Sequence, residues 1–163
     1  MLKKKIDKTQ MYLDVAKLHI NSIKDGFLPS LGVKFLALLY RCIDEADFST
    51  LIVKYRGAEL IGFVSGTFGT SSLYKLMLAH PIELTRALFM IIFNFKKIKK
   101  IIQIHNHITG KKRRKYPQAE LLTICVHPDY RRKGIANELY KKLSNFFNSK
   151  SIFEFVIVVG QSL

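Results

Sequence analysis

A mixed α/β fold, a central sheet flanked by helices, is what this sequence predicts, and three features predict it. The apolar run Leu121 to Val126 passes through Pro128-Asp129 into a segment of helical period, Gly134 to Asn148, which reads as strand, turn and helix. Upstream, Leu51 to Tyr55 and Ala58 to Thr67 flank Arg56-Gly57, the pattern of a β-hairpin. Downstream, Ile152 to Val159 is apolar apart from Glu154, as expected for a parallel strand buried on both faces.

The remaining elements follow in order. Lys3 to Lys8 is read as including a short opening strand, which makes the hairpin strands two and three. Met11 to Ile23 is a helix: Met11, Val15, Leu18 and Ser22 form one line, with Tyr12, Ala16 and His19 beside it. Gly26, Pro29 and Gly32 punctuate a loop. Val33 to Ala46 is a second helix with Phe35, Leu38, Leu39 and Cys42 as its buried stripe. In the hairpin, Leu60, Ile61, Phe63 and Val64 supply the apolar residues of the returning strand.

Between strand three and strand four the sequence predicts a helical insertion, residues 68–115. Leu73 to Ala79 is one helix; Pro81 to Phe95 is the next, with proline at the position a helix start favours. Lys96 to His107 continues it, with Ile98, Ile101, Ile102 and His105 on one side. Lys96 to Lys115 carries nine Lys or Arg and no acid. Apolar stripes at this spacing usually cap a core. Two other readings stay open: a wall of the pocket for an anionic acceptor, and an amphipathic element resting on an anionic membrane. In the last helix, Ile135, Leu139, Leu143 and Phe146 are spaced for burial.

At 163 residues the chain suits a single domain spanning 1–163. With 27 Lys plus Arg against 12 Asp plus Glu, its formal net charge is +15. That balance favours anionic partners: a phosphorylated cofactor, a nucleotide-linked substrate, nucleic acid or a membrane surface. Cys42 and Cys125 lie in apolar runs and read as buried, reduced thiols of a cytoplasmic protein, with a peripheral membrane location as the alternative. The basic Met1 to Lys5 is not followed by an apolar signal segment. The longest apolar stretch, Ile82 to Phe95, contains Glu83 and Arg86 and is too short for an ordinary membrane span. The five histidines are scattered; His105 and His107 do not share a helix face, so no metal site is expected. The chain has no Walker loop and no Gly-x-Gly-x-x-Gly run, which disfavours nucleotide hydrolysis and dinucleotide binding.

The strand–turn–helix unit carries the most chemistry. Arg131, Arg132 and Lys133 precede Gly134 at a helix start, where the positive end of the dipole repels cations. A polyanion held there resolves the conflict: glycine lets it approach the backbone, and the unpaired N–H groups of the first turn meet it.

At these residues the chain resembles the GNAT superfamily of N-acetyltransferases. That family's Arg/Gln-x-x-Gly-x-Gly/Ala pattern is matched by Arg131-Arg132-Lys133-Gly134-Ile135-Ala136, and the flanking Val-x-Pro-x-x-Arg by Val126 to Arg131. Leu139 and the hairpin's Ile61-Gly62-Phe63 also match. The resemblance implies acetyl-coenzyme A as donor, without a metal. Its diphosphate would sit on Arg131, Arg132, Lys133, Gly134, Ile135 and Ala136, and its pantetheine arm along Ile124, Cys125 and Val126. A main-chain N–H near Val126 would stabilise the oxyanion. Glu120, where the family often places a carboxylate, is the candidate base for a small-molecule primary amine; an amino sugar on an anionic carrier is a mild preference from charge and the basic insertion.

Family members usually continue with a helix bearing Asn and Tyr and with two further strands, and the general acid is a tyrosine there. The sequence stops at Leu163, so the C-terminal portion is expected to be missing and the acid to lie beyond residue 163. The final strand then needs cover, from association or a homodimer. Tyr130 and Tyr140 are read as packing residues. The competing functions are a non-catalytic coenzyme A-binding module and a basic nucleic-acid or membrane-surface module. Aromatic residues are not interleaved with the Lys96 to Arg114 cations as a base-stacking platform needs, so nucleic acid is the less favoured partner.

Overall fold

The computed structural model of the protein describes residues 7–23, 27–92 and 119–157. Helix α1 (Lys8–Ser22) opens it, and Asp7 caps it by accepting from the Thr9 N–H at 3.0 Å. Lys8, at the end of the segment expected to include an opening strand, is the first helical residue, after the capping acid at position 7. The rest of that expected strand lies outside the described residues. Pro29, expected in a loop, falls in a one-turn helix, α2 (Phe27–Ser30), and α3 (Gly32–Glu45) follows.

The hairpin forms as expected but longer: β1 (Ser49–Arg56) and β2 (Glu59–Thr67), turning at Gly57-Ala58 rather than Arg56-Gly57. Two insertion helices come next, α4 (Thr70–Leu78) and α5 (Pro81–Ile92). The expected helix Lys96 to His107 and residues 93–95 of its predecessor lie outside the described residues. Strand β3 (Glu120–Val126) leads through a 3-10 turn (Pro128–Tyr130) into α6 (Ile135–Ser149), and β4 (Val156–Ile157) follows.

The four strands lie in the order β1-β2-β3-β4, antiparallel except for the parallel β3–β4 pair. The insertion joins the second and third of the described strands. On one face of the sheet α1 and α3 pack through Val15, Leu36, Cys42, Ile43 and Phe63, with Leu73 and Met77 of α4 closing the cluster. On the other, α6 buries Ile135, Leu139, Leu143 and Phe147 against Ile61, Val64 and Leu121. Phe147 takes the fully buried place expected for Phe146, which is half-buried against Phe68. In α3 the stripe is Leu36, Leu38, Leu39, Tyr40, Cys42 and Ile43, with Phe35 only partly buried.

Two glycines of β2 set the height of α6. A side chain at Gly62 would meet Leu139 Cδ1 at 3.2 Å and Cys125 O at 3.1 Å; at Gly66 it would meet Leu143 Cδ1 at 2.7 Å. Strand β3 carries one irregularity: Ser65 pairs with Thr123 but Gly66 with Leu121, leaving Leu122 unpaired in a bulge. The last strand differs from expectation. Among the described residues of that run, Val156–Ile157 is strand, Phe153 is 80 % exposed and Ile157 49 % exposed. Among the described strands β4 is an edge, as expected, and its described apolar residues Phe153 and Ile157 are exposed.

Candidate active site

β3 fixes the direction of its own backbone groups. The His127 N–H donates to Ile61 O at 3.0 Å, which makes the neighbouring Gly62 and Val126 a non-hydrogen-bonded pair. Alternation then turns the N–H and C=O groups of Ile124 and Val126 away from β2, toward the edge on which β4 lies. Arg131 Nε donates to Val126 O on that edge at 3.2 Å. Pairing with β4 covers Glu120 and Leu121 among the described residues.

The side chains of this strand alternate between layers. Ile124 and Val126 pack toward α6, and Cys125 joins the α1/α3 cluster. Burial pushes the Cys125 thiol up to about 11. It is a neutral packing group, and what Cys125 offers a ligand is backbone. Cys42 is likewise buried and pushed up to about 11 by burial.

Beyond Val126 the chain turns sharply. Arg132 (φ 60) and Gly134 (φ 74) both take left-handed backbone, a conformation that gathers successive N–H groups into a concavity suited to anions. Gly134 is the N-cap of α6, with no side-chain capping bond. Apart from its chain neighbours and the adjoining helix backbone, no described atom lies within 4 Å of the place its Cβ would occupy. The first turn of α6, Ile135, Ala136 and Asn137, therefore presents N–H groups without helical acceptors. The nearest helix acid, Glu138, is drawn aside by Lys54 and Lys142, and the Lys54 hydrogen bond is the main reason its carboxyl sits below the usual range.

The cations are exposed, and two also brace the turn. Lys133 Nζ donates to Asp129 O at 2.9 Å, and Arg131 holds Val126 O as described. Ile135 is buried beneath the sheet, whereas Ala136 is exposed. Tyr130 packs, as its sequence position suggests. Its hydroxyl donates to Glu59 Oε2 at 2.7 Å, which raises its pKa, and Lys133 Nζ and Arg56 Cζ lie 5.1 and 5.6 Å from its ring centroid. Arg56 and Glu59 are supports that sequence reasoning missed, because only the hairpin pairing brings them beside residue 130.

Glu120 stands apart from this cluster. Six residues of strand separate it from Val126, about 20 Å, and four separate it from Ile124, about 13 Å. Its Oε1 accepts from Thr70 Oγ1 at 2.5 Å, at the start of α4. Val126 and Arg131 to Ala136 are thus gathered at one end of β3, with Glu120 at the other. Tyr140 lies on α6 against Phe155, with ring centroids 5.8 Å apart.

Behind β3 sits a buried polar chain. Thr123 hydrogen-bonds Tyr40, and Tyr40 OH meets His19 Nδ1 at 2.5 Å. Burial lowers the His19 pKa to about 4, so the ring is neutral and Nδ1 accepts from the phenol. A cleft of about 660 Å³ lies between α1, α3 and α5, lined by Lys8, Tyr12, Lys34, Arg41 and Arg86 among others. It is at the opposite end of α1 from Ser22, which lies beside Cys125. Ten residues of helix from Tyr12 to Ser22 place the cleft about 15 Å away from β3's candidate site. Among the described residues no group of three or more His, Cys, Asp or Glu could hold a metal ion, and no helix is long and apolar enough to cross a membrane.

A mixed sheet whose third strand enters an uncapped helix through a left-handed glycine defines a class: α/β proteins equipped to hold an extended anionic ligand at a strand end. The acetyltransferase (GNAT) family model matches residues 20–161, and the chain belongs to that family. Acetyl transfer from acetyl-coenzyme A is the family's general activity. Comparison with curated proteins finds no match.

Proposed function

We propose that this protein is a single-domain acetyl-coenzyme A-dependent N-acetyltransferase acting on the primary amine of a small molecule. The observation that carries the reading is the open, uncapped turn at Gly134, contiguous with a strand edge whose Ile124 and Val126 N–H groups point away from β2. These residues fit the donor: the turn suits a diphosphate, and the edge suits an amide-rich arm that bonds as a strand would. Bound there, acetyl-coenzyme A supplies an activated acyl group as a thioester.

The chain's own residues have separable roles. The first turn of α6 and the field of Arg131, Arg132 and Lys133 hold the anionic end. The Ile124 and Val126 N–H groups donate to the arm and to negative charge developing on a carbonyl oxygen. Ile124 is the better placed of the two for the reacting carbonyl, since it lies nearer the proposed base, Glu120. Glu120, about 13 Å along the strand from Ile124, is our proposed base and takes the amine proton only through a relay of several waters, not by direct contact. An amino sugar on an anionic carrier is the acceptor class that the charge of +15 favours.

The test is a panel of primary amines, with and without anionic substituents, assayed by release of free thiol. We expect turnover of at least one amine, and Glu120→Gln to lower kcat by about a hundredfold or more with little change in cofactor binding. If coenzyme A binds but no amine releases thiol, the protein is a non-catalytic binding module. Undiminished kcat in Glu120→Gln removes that residue from the reaction.

A further inference from the structure

We infer that the outer face of the α4–α5 pair is a docking surface for an anionic phospholipid bilayer. Both helices are anchored by their inner faces: Leu73 and Met77 of α4 are buried, as is Ala87 of α5, and Leu84 packs partly buried against the same cluster. Some of their outer positions are large and apolar. Leu78 and Ile82, four residues apart across the turn joining the helices, are each 66 % exposed. Large apolar side chains so open to water mark an interaction site when they cluster.

Exposed cations flank them at helical spacing. Lys75 stands three residues before Leu78; Arg86, four residues after Ile82, sits at the border between this face and the cleft shared with α1 and α3. Glu83, the acid of α5, is taken up by Arg41 at 3.3 Å and His80 at 3.1 Å. Apolar side chains bordered by cations are the pattern of a helix lying in the plane of a bilayer interface. The same insertion continues in sequence with nine Lys or Arg and no acid from Lys96 to Lys115, the composition an anionic leaflet attracts. A second copy of the chain would bring +15 against +15. A nucleic-acid backbone would satisfy the cations and leave Leu78 and Ile82 in water. The bilayer satisfies both.

The experiment is co-sedimentation of the full chain with vesicles of phosphatidylcholine alone and of phosphatidylcholine mixed with phosphatidylglycerol. We expect binding to the mixed vesicles only, weakened by salt. Leu78→Ser with Ile82→Ser should lower that binding about tenfold or more, with the melting temperature unchanged; Lys75→Gln with Arg86→Gln should lower it several-fold, again without loss of fold. Equal binding to both vesicle types, or none to either, overturns the proposal. So does a lipid-free dimer that the double serine variant abolishes, since the face would then be an interface between copies. A fall in melting temperature in that variant also overturns it, because the side chains would then be covered by the chain itself.

Discussion

Gly134 is where backbone and charge meet, and where we propose that the ligand's diphosphate sits. Its left-handed φ of 74 disfavours any side chain, and the space around its missing Cβ is open. Gly134→Asp puts a carboxylate into that space, and coenzyme A should then no longer raise the melting temperature. Gly134→Ala separates the two contributions: it strains the turn without adding charge, and should weaken the ligand effect while retaining some of it. A full ligand-induced shift in the aspartate variant would place the diphosphate elsewhere. His19 gives a second expectation at this scale. Its folded pKa of about 4 lies below the ordinary 6.5, so the unfolded chain binds the proton more readily between those values. Stability contributed by neutral His19 is complete above pH 6.5 and is lost as pH falls toward 4, by about 3 kcal/mol at most. Urea midpoints measured across that window should fall steeply, and His19→Gln should flatten the slope. An equally steep slope in the variant would assign the effect to other groups.

At the scale of elements, α6 is positioned by what β2 lacks. Gly66→Val must displace Leu143 and Phe147 as well as the Glu120 carbonyl, so we expect a loss of about 1–3 kcal/mol or more in chemical denaturation. Gly57→Ala, at a turn position with open space around it, should cost less despite its positive φ. Equal losses would mean that conformational strain, not contact with the helix, governs both positions. The elements also show which features were legible in the sequence. The β3–turn–α6 unit was readable because a strand, a glycine turn and a helix of apolar spacing are adjacent in the chain and each has a local physical signature. The seat of α6 was not, because nothing about Gly62 or Gly66 announces which side chains will lie above them. The bracing of Tyr130 by Arg56 and Glu59 depends in the same way on strand pairing, as does the buried chain from Thr123 through Tyr40 to His19. Phe146 and Phe147 are neighbours of equal hydrophobicity, and only the helix's orientation on the sheet decides which is sealed in.

For the molecule as a whole, the sheet divides two apolar clusters, one against α1 and α3 and one against α6. Leu36→Ala and Leu139→Ala each remove a fully buried side chain from a different cluster and should each cost about 2–5 kcal/mol. With no partner in common, their effects should add to within about 0.5 kcal/mol, as checked by a double-mutant cycle. Ligand linkage acts on the same scale. Coenzyme A at about a hundred times its dissociation constant should add about 2.7 kcal/mol, which for a chain of this length is a rise of about 5–10 °C in Tm. Added salt should shrink that rise, since the candidate cradle is exposed and cationic. A rise indifferent to salt would put the binding energy in the strand edge rather than in the charged turn.

The unpaired Leu122 has a consequence for chemistry. An extra residue in a strand inverts the in-and-out phase of everything before it relative to everything after it. Because of that inversion Glu120 and Ile124, an even number of residues apart, face opposite layers: one toward Thr70, the other toward α6. Deleting Leu122 while keeping Thr123 to Val126 in place would rotate Glu120 under the α6 layer and send Leu121 to the opposite one. A single skipped beat in the ladder thus keeps the carboxylate on the side of the sheet that bears α1, α3 and α4.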